Sequence, residues 1–269
     1  MPEYAEMENY RKLLSEHLIN KPITSVIVNR EKSVNLDPEL FVNELIGYKV
    51  IFVERRAKYL IFHLNNGRRL LLHLMLGGFL FYGREEDAPN RSKQVEIAFG
   101  EMKLFFMGLR LGFLHLLSAK EVEKELESIG PEPFDRRLDK DAFVQRLKGR
   151  KGALKNLLVN QQFIAGIGNC YADEIAFAAG LLPAIKVQDL TDEQMGNLYD
   201  QMKVVLREAY EAGGYMEVPF MAGDTHTGGG IPLLKVYDRE GEPCPKCSTP
   251  IKKSELSSRK VFFCPNCQK

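Results

Sequence analysis

The sequence predicts an α+β multidomain protein, and three observations carry that reading. Between Ile23 and Leu117, short apolar runs alternate with turn residues, which is strand patterning. Beyond Ser118 the apolar spacing becomes helical. The tail from Lys235 to Lys269 holds two Cys-x2-Cys pairs, the spacing of a metal-bound hairpin. A chain of 269 residues has room for more than one domain, and its 45% hydrophobic content excludes disorder as the default state.

Charge is informative by its distribution. Lys plus Arg number 37 against 36 Asp plus Glu, a net charge of +1, so no global basic field points to a nucleic acid. The tail from Lys235 nevertheless carries eight Lys/Arg against four Asp/Glu, making it +4 and the remainder −3. No apolar run is long enough to span a bilayer, and the polar, acidic start does not read as a signal peptide. The expected location is cytoplasmic, with no membrane partner.

Along the chain, Met7, Tyr10, Leu13, Leu14 and Leu18 form one apolar helical face that begins almost at the terminus. Strands follow at Ile23–Val28, Lys49–Val53, Tyr59–Leu64, Arg69–Leu74, Phe79–Tyr82, Val95–Phe99, Lys103–Met107 and Gly112–Leu116. Asn66-Gly67 marks a tight hairpin and Gly100 another turn, so a sandwich or barrel-like first domain is expected over residues 1–118. Helical segments at Val122–Leu126, Phe143–Leu147 and from Thr191, whose Thr-Asp-Glu-Gln run has capping-box spacing, place a helical domain at 119–234. Gly130-Pro131-Glu132-Pro133 reads as the linker, and the Gly-rich stretch from Gly213 to Leu234 as a mobile loop. Residues 235–269 complete the chain as a third part.

The helical domain centres on Gln161–Glu174, where two helical patterns meet through a glycine turn. Gly166 and Gly168 permit positive φ and close backbone approach, and Asn169 is suited to cap the following helix. Beside Lys155, this helix start can seat a phosphate, or it can be an ordinary helix–helix connector with glycines for packing. Cys244, Cys247, Cys264 and Cys267 present four thiolates with the spacing of a structural zinc site, and zinc binding supplies most of the folding energy of so small a segment. Two tight pairs in a cytosolic chain argue against disulfides, and Cys170 is left over as a packing residue. Between the knuckles, Lys252, Lys253, Arg259 and Lys260 lie near Phe262 and Phe263, which suits a phosphate backbone or a solvated structural ribbon.

The N-terminus offers its own chemistry. Removal of Met1 exposes Pro2 as a secondary amine, and an α-amino group with a pKa of about 7.7–8.0 is partly neutral near pH 7. Such an amine can attack a sugar carbon to give an iminium, with Glu3 moving protons. The same residues can equally serve only to start a helix.

Taken together, these residues resemble the formamidopyrimidine-DNA glycosylase and endonuclease VIII family. The likeness runs the whole chain: Met1-Pro2-Glu3 with Glu6 and Glu8, Lys58-Tyr59-Leu60, His73-Leu74 with Gly78, Gly130 to Pro133, Gly166 to Glu174, Val236-Tyr237, and Pro243 to Gln268. The resemblance implies an N-terminal helix on a β-sandwich, a helix-two-turn-helix domain and a C-terminal zinc-finger hairpin. It implies a monomeric DNA repair glycosylase with abasic-site lyase activity and one structural zinc, acting on double-stranded DNA with damaged bases or abasic sites. Pro2 is then the nucleophile, Glu3 the proton-transfer group and Lys58 a cation at the lesion's phosphate, while Arg259 falls where the family holds the DNA backbone around the flipped nucleotide. Glu6, Lys155, Asn169, Tyr171, Arg110, Leu76 and Leu111 fall where the family meets DNA.

The resemblance breaks at one functional place. Relatives that act on oxidised guanine carry an Asp-Pro-Arg-Arg-Phe-Gly loop, whereas the corresponding stretch is Met107-Gly108-Leu109-Arg110-Leu111-Gly112, and Leu76 stands for the family's intercalating methionine. An apolar wedge can stack into the gap left by a flipped base but cannot hydrogen-bond the opposite one, so strict selection of oxidised guanine opposite cytosine is not expected. Tyr4-Ala5 also replaces the usual Leu-Pro. Two rivals remain: a family-shaped protein that binds distorted or abasic DNA without cutting it, and an RNA-associated zinc ribbon that leaves the N-terminal residues unexplained.

Overall fold

The computed structural model describes residues 1–269 and divides the chain into two compact units. The first comprises Met1–Ser128 with Ala212–Gly229, and the second Ile129–Glu211 with Gly230–Lys269.

The first unit opens with helix α1 (Tyr4–Leu18) and a short helix α2 (Pro38–Asn43), with strand β1 (Ser25–Val28) between them. Strands β2 (Val50–Arg56), β3 (Tyr59–Leu64), β4 (Arg69–His73), β5 (Phe79–Gly83), β6 (Lys93–Phe99), β7 (Met102–Met107) and β8 (Phe113–Leu117) follow. All eight expected strands are present. They form two antiparallel four-stranded sheets, in the orders β1-β6-β7-β5 and β2-β3-β4-β8. The inner faces enclose one core to which α1 contributes Met7, Tyr10, Leu14 and Leu18, the face read from its periodicity. Helix α3 (Ala119–Leu126) lies on the outside of the second sheet, where Val122 and Leu126 pack on Ile61 and Leu71. Its Ser118 N-cap and Glu121 form a capping box.

The Gly-rich segment after Gly213 corrects an expectation. It returns to the sandwich, Phe220 is fully buried between the Tyr10 and Tyr82 rings, and its carbonyl accepts a 2.6 Å hydrogen bond from the Tyr82 amide. Met216 and Val218 cover the outer aromatic patch of Phe79, Phe81, Phe105 and Met107. Composition alone suggested a free loop, but three apolar anchors within five residues hold it down.

The second unit contains helices α4 (Lys140–Leu147), α5 (Leu154–Leu158), α6 (Asn169–Ala178) and α7 (Asp192–Glu211), then strands β9 (Lys252–Leu256) and β10 (Arg259–Phe263) paired as a hairpin. The capping box at Thr191 is present: its amide donates to Gln194 Oε1 at 2.9 Å, and the Gln194 amide returns to Thr191 Oγ1 at 3.2 Å. Phe177 of α6 joins Val236, Ile251, Phe262, Cys244 and Cys264 in a small core under the hairpin. The C-terminus pairs back, with the Leu182 amide on the Lys269 carbonyl and the Lys269 amide on the Gly180 carbonyl. No helix is long and apolar enough to cross a membrane.

Candidate DNA-processing site and zinc centre

In the first unit the candidate residues Pro2, Glu3 and Glu6 stand at the start of α1. Pro2 is buried, and Glu3 is the extended N-cap residue, 2% exposed. Glu6, one turn on, accepts the Glu3 amide at 2.8 Å through Oε2 and the Tyr215 amide at 2.9 Å through Oε1. This is a correction: Glu6 is 1% exposed and both carboxylate oxygens are engaged inside the protein, so it braces the terminus and does not reach out to DNA. Gly214, at φ +72°, makes the approach possible, because a Cβ there would lie 2.4 Å from Glu6 Oε1.

Arg55, near the end of β2, donates to Glu8 Oε2 at 2.8 Å and lies over the Tyr4 ring at 4.5 Å, tying this strand to the first turns of α1. Lys58 follows in the two-residue turn to β3, mostly buried at 6% exposure. Burial, followed by the Lys58 charge, holds the His73 imidazole down at about 4, so it is neutral near pH 7.

Leu76 and Leu111 stand out from the same unit, 67% and 63% exposed on two tight turns. A Cβ on Gly108 would lie 2.0 Å from the Gly77 carbonyl oxygen, and one on Gly112 would lie 2.3 Å from that of His73, so the turns meet backbone to backbone. Leu109 is fully buried, its amide donates to Gln94 Oε1 at 3.0 Å, and Arg30 donates to the Leu109 and Arg110 carbonyls at 3.4 and 3.2 Å. Arg110 and Leu111 are left exposed. Two apolar side chains on adjoining rigid turns have the form of wedges for a base stack.

In the second unit, Gln161 closes the turn between α5 and α6. Its amide nitrogen donates to the Val159 and Ile167 carbonyls at 2.9 and 2.8 Å, and its oxygen accepts the Gly166 amide at 2.8 Å. Gly168 is the N-cap of α6, so Asn169 is the first helical residue and not the cap that its side chain suggested. The Asn169 amide oxygen is buried without a hydrogen-bond partner in the protein.

Lys155 is the larger correction. It is fully buried, with Nζ donating to Asp173 Oδ2 at 2.8 Å and to the Lys260 carbonyl at 2.5 Å. Asp173 also accepts the Phe262 amide at 3.0 Å. Burial pushes the Asp173 carboxyl up to about 7, against the pull of Lys155 and that amide. The pair thus fastens β10 to the helices, and no ammonium is offered to a phosphate. Tyr171 is likewise interior, 2% exposed and lining a cavity of about 350 Å³, so its ring offers no surface to DNA. The signal missed was Asp173, which lies one α-helical turn from Asn169 and can take the lysine inward.

Arg259 is exposed at the start of β10, after a tight turn with Ser257 and Ser258 both at positive φ. Asn156 Nδ2 donates to Ser257 Oγ at 3.0 Å, and Arg259 reaches Asn156 Oδ1 at 3.5 Å, so the hairpin tip is steadied from α5. Glu174, buried, accepts the amides of Lys235, Val236 and Tyr237 at 2.8 to 3.1 Å and positions the segment leading to the cysteines. Burial raises its carboxyl, and those three amides oppose the rise.

The sulfurs of Cys244, Cys247, Cys264 and Cys267 lie within 4.8 Å of one another, with Cys244–Cys267 at 3.8 Å and Cys247–Cys264 at 3.5 Å. Tetrahedral zinc with Zn–S of about 2.3 Å sets its sulfurs about 3.8 Å apart, so the set fits one zinc ion. Gln268 supports it by accepting the Cys264 amide at 2.7 Å and donating to the Leu181 carbonyl at 2.7 Å.

A sandwich whose first helix follows a buried proline, a glycine-turned helix pair and a four-thiolate hairpin define a DNA glycosylase of the helix-two-turn-helix class. Comparison with known proteins agrees in each part. Residues 1–114 match the formamidopyrimidine-DNA glycosylase N-terminal domain, residues 129–218 that enzyme's H2TH domain, and residues 241–269 the zinc finger found in FPG and IleRS. The chain is 32% identical over 272 residues to the formamidopyrimidine-DNA glycosylase of Desulfitobacterium hafniense, covering all of both. It is similar, at 28% identity, to Lactococcus lactis Fpg in complex with DNA containing an abasic site (TM-score 0.91, 99% of each chain). It is similar at the same identity to the wild-type enzyme with DNA containing an oxidised pyrimidine (TM-score 0.90, 100% of each chain). The chain belongs to the formamidopyrimidine-DNA glycosylase family, an enzyme family with glycosylase and abasic-site lyase activity.

Proposed function

We propose that this chain excises oxidised bases from double-stranded DNA and cuts the strand at the resulting abasic site, in the cytoplasm and as a monomer. Pro2, freed by removal of Met1, attacks C1′ of the everted nucleotide, because C1′ of a stacked nucleotide is not open to an in-line nucleophile. The iminium opens the sugar, and β- then δ-elimination breaks the strand. Glu3 exchanges protons with the sugar, Lys58 and Arg259 bind the flanking phosphates, and Asn169 holds the backbone at the start of α6. Leu76 and Leu111 fill the vacated stack without reading the opposite base.

The observation that supports this most directly is the start of α1. Pro2 is followed by a buried carboxylate residue, Glu3, whose amide is fixed by Glu6, so nucleophile and proton carrier are set side by side before DNA arrives. Borohydride trapping on an abasic duplex tests it: processed enzyme should crosslink and the Pro2→Gly variant should not. Equal crosslinking by the two would refute the mechanism.

A second reading is favoured by the stretch Met107-Gly108-Leu109-Arg110-Leu111-Gly112, which lacks the Asp-Pro and Arg-Phe of relatives that act on oxidised guanine. If Met1 is retained, the Pro2 nitrogen is a tertiary amide without nucleophilicity. In that form the chain would bind abasic DNA and leave it uncut. Intact mass of the natural protein separates the readings.

A further inference from the structure

We propose that Tyr215 relays a proton between the Pro2 amine and the Glu3 carboxylate, an inference that rests on the Pro2 mechanism above. The Tyr215 hydroxyl lies 2.7 Å from the Met1 carbonyl oxygen, an atom two bonds from the Pro2 nitrogen, and 3.3 Å from Glu3 Oε1. One phenol therefore touches both the group that must leave to free the nucleophile and the residue that exchanges protons with the sugar. When Met1 is removed, the hydroxyl loses that acceptor and keeps Glu3, and the freed amine is the atom that stood two bonds from the lost acceptor. A phenolic hydroxyl both donates and accepts, which is what a relay between two such groups requires.

The placement is enforced by the backbone. Gly213 and Gly214 both have positive φ, at +84° and +72°. A Cβ on Gly213 would come within 1.9 Å of the His226 carbonyl oxygen, and the Gly214 backbone lies against Glu6. Glu6 then binds the Tyr215 amide and the Glu3 amide with its two oxygens, so a single buried carboxylate indexes the phenol to the start of α1. A residue serving only to cover the terminus would not need its main chain held by the same group that holds Glu3.

The step balances as follows. The neutral secondary amine attacks C1′ and displaces its substituent, the base at a damaged nucleotide or the hydroxyl at a closed abasic sugar, which leaves as an anion and takes a proton from water. The nitrogen is now a protonated tertiary amine. Its proton passes to the Tyr215 oxygen as the phenolic proton passes to Glu3. The nitrogen lone pair then expels the ring oxygen, which takes the proton from Glu3, and the iminium forms. Without the phenol, the amine proton must leave through solvent.

The test compares wild type, Tyr215→Phe, Tyr215→His and Pro2→Gly, each with Met1 removal verified by intact mass. Single-turnover borohydride trapping on an abasic duplex is followed across pH and at increasing imidazole concentration, beside equilibrium binding and thermal melting. General acid–base groups contribute roughly 100-fold or more, so Tyr215→Phe should trap about 10- to 100-fold more slowly near neutral pH while binding the duplex within about 2-fold of wild type. The deficit should shrink as imidazole is added, and Tyr215→His, which can itself carry a proton, should recover part of the rate. Wild-type rates and pH profile in Tyr215→Phe would overturn the relay. So would a deficit that ignores imidazole and is matched by lost affinity, since the hydroxyl would then be only a brace. Absence of trapping by wild type would instead sink the Pro2 mechanism itself.

Discussion

Gly108 and Gly77 meet so closely that a single methyl group on Gly108 would lie 2.0 Å from the Gly77 carbonyl oxygen. That contact joins the turn bearing Leu76 to the loop bearing Leu111. It makes the two exposed leucines one rigid feature whose spacing depends on a glycine.

Gly108→Ala should therefore be costly in both stability and function. Gly108 also sits at φ +69°, so clash and backbone strain combine to at least about 2 kcal/mol. Gly67→Ala is the control: φ is +85° with nothing within 4 Å of the added Cβ, and the expected loss is about 1 kcal/mol. Urea unfolding should rank the two, and only Gly108→Ala should weaken binding to an abasic duplex.

Breaking the interior ion pair should be worse than removing it. Lys155→Met leaves the Asp173 carboxyl buried and protonated without its cation and the Lys260 carbonyl without its donor, an effect of about 1–3 kcal/mol, whereas Lys155→Met with Asp173→Leu should recover part of that loss. Denaturant melts of the two single variants and the double variant test this.

Salt dependence distinguishes Lys155 from Arg259. An exposed cation that contacts phosphate contributes about one unit to the slope of log affinity against log salt. Arg259→Ala should lose that unit, and Asn156→Ala, which frees the hairpin tip, should lose part of it. The Lys155→Met, Asp173→Leu double variant should keep the wild-type slope, and a loss of one unit there would return Lys155 to the DNA surface.

Acid should weaken the first unit through His73. Its folded pKa of about 4 lies below the unfolded value of about 6.5, so the unfolded chain binds the proton first. The contribution is intact above about pH 6.5 and declines as pH falls toward about 4, amounting to roughly 1–2 kcal/mol at about pH 5. Between neutral and mildly acidic pH, the urea midpoint of His73→Gln should fall less than that of wild type.

Zinc removal should act locally first. One zinc per chain is expected by elemental analysis, and a strong chelator or Cys264→Ser should release the β9–β10 hairpin, because metal binding on the order of 10 kcal/mol replaces the core that this segment lacks. Loss of hydrogen-exchange protection at Val261 and Phe262, ahead of the sandwich strands, would report it.

What the sequence determined by itself was everything written in local pattern. Alternation and Asn66-Gly67 specified the eight strands, helical spacing specified α1 and α7, and Cys-x2-Cys spacing specified the thiolate tetrad, since each depends on neighbours within a few residues. Side-chain direction was a different matter. A lysine beside a glycine turn looks like a phosphate ligand, but only the fold brings Asp173 and the Lys260 carbonyl within 2.8 and 2.5 Å of Lys155 and turns it inward. In the same way, Gly213-Gly214 reads as a loop until long-range packing buries Phe220 and sets the Tyr215 hydroxyl against Met1 and Glu3. The lysine takes its role from a carboxylate 18 residues on and a carbonyl 105 residues on, the phenol from partners 212 and 214 residues back, and tertiary structure decides which partners those are.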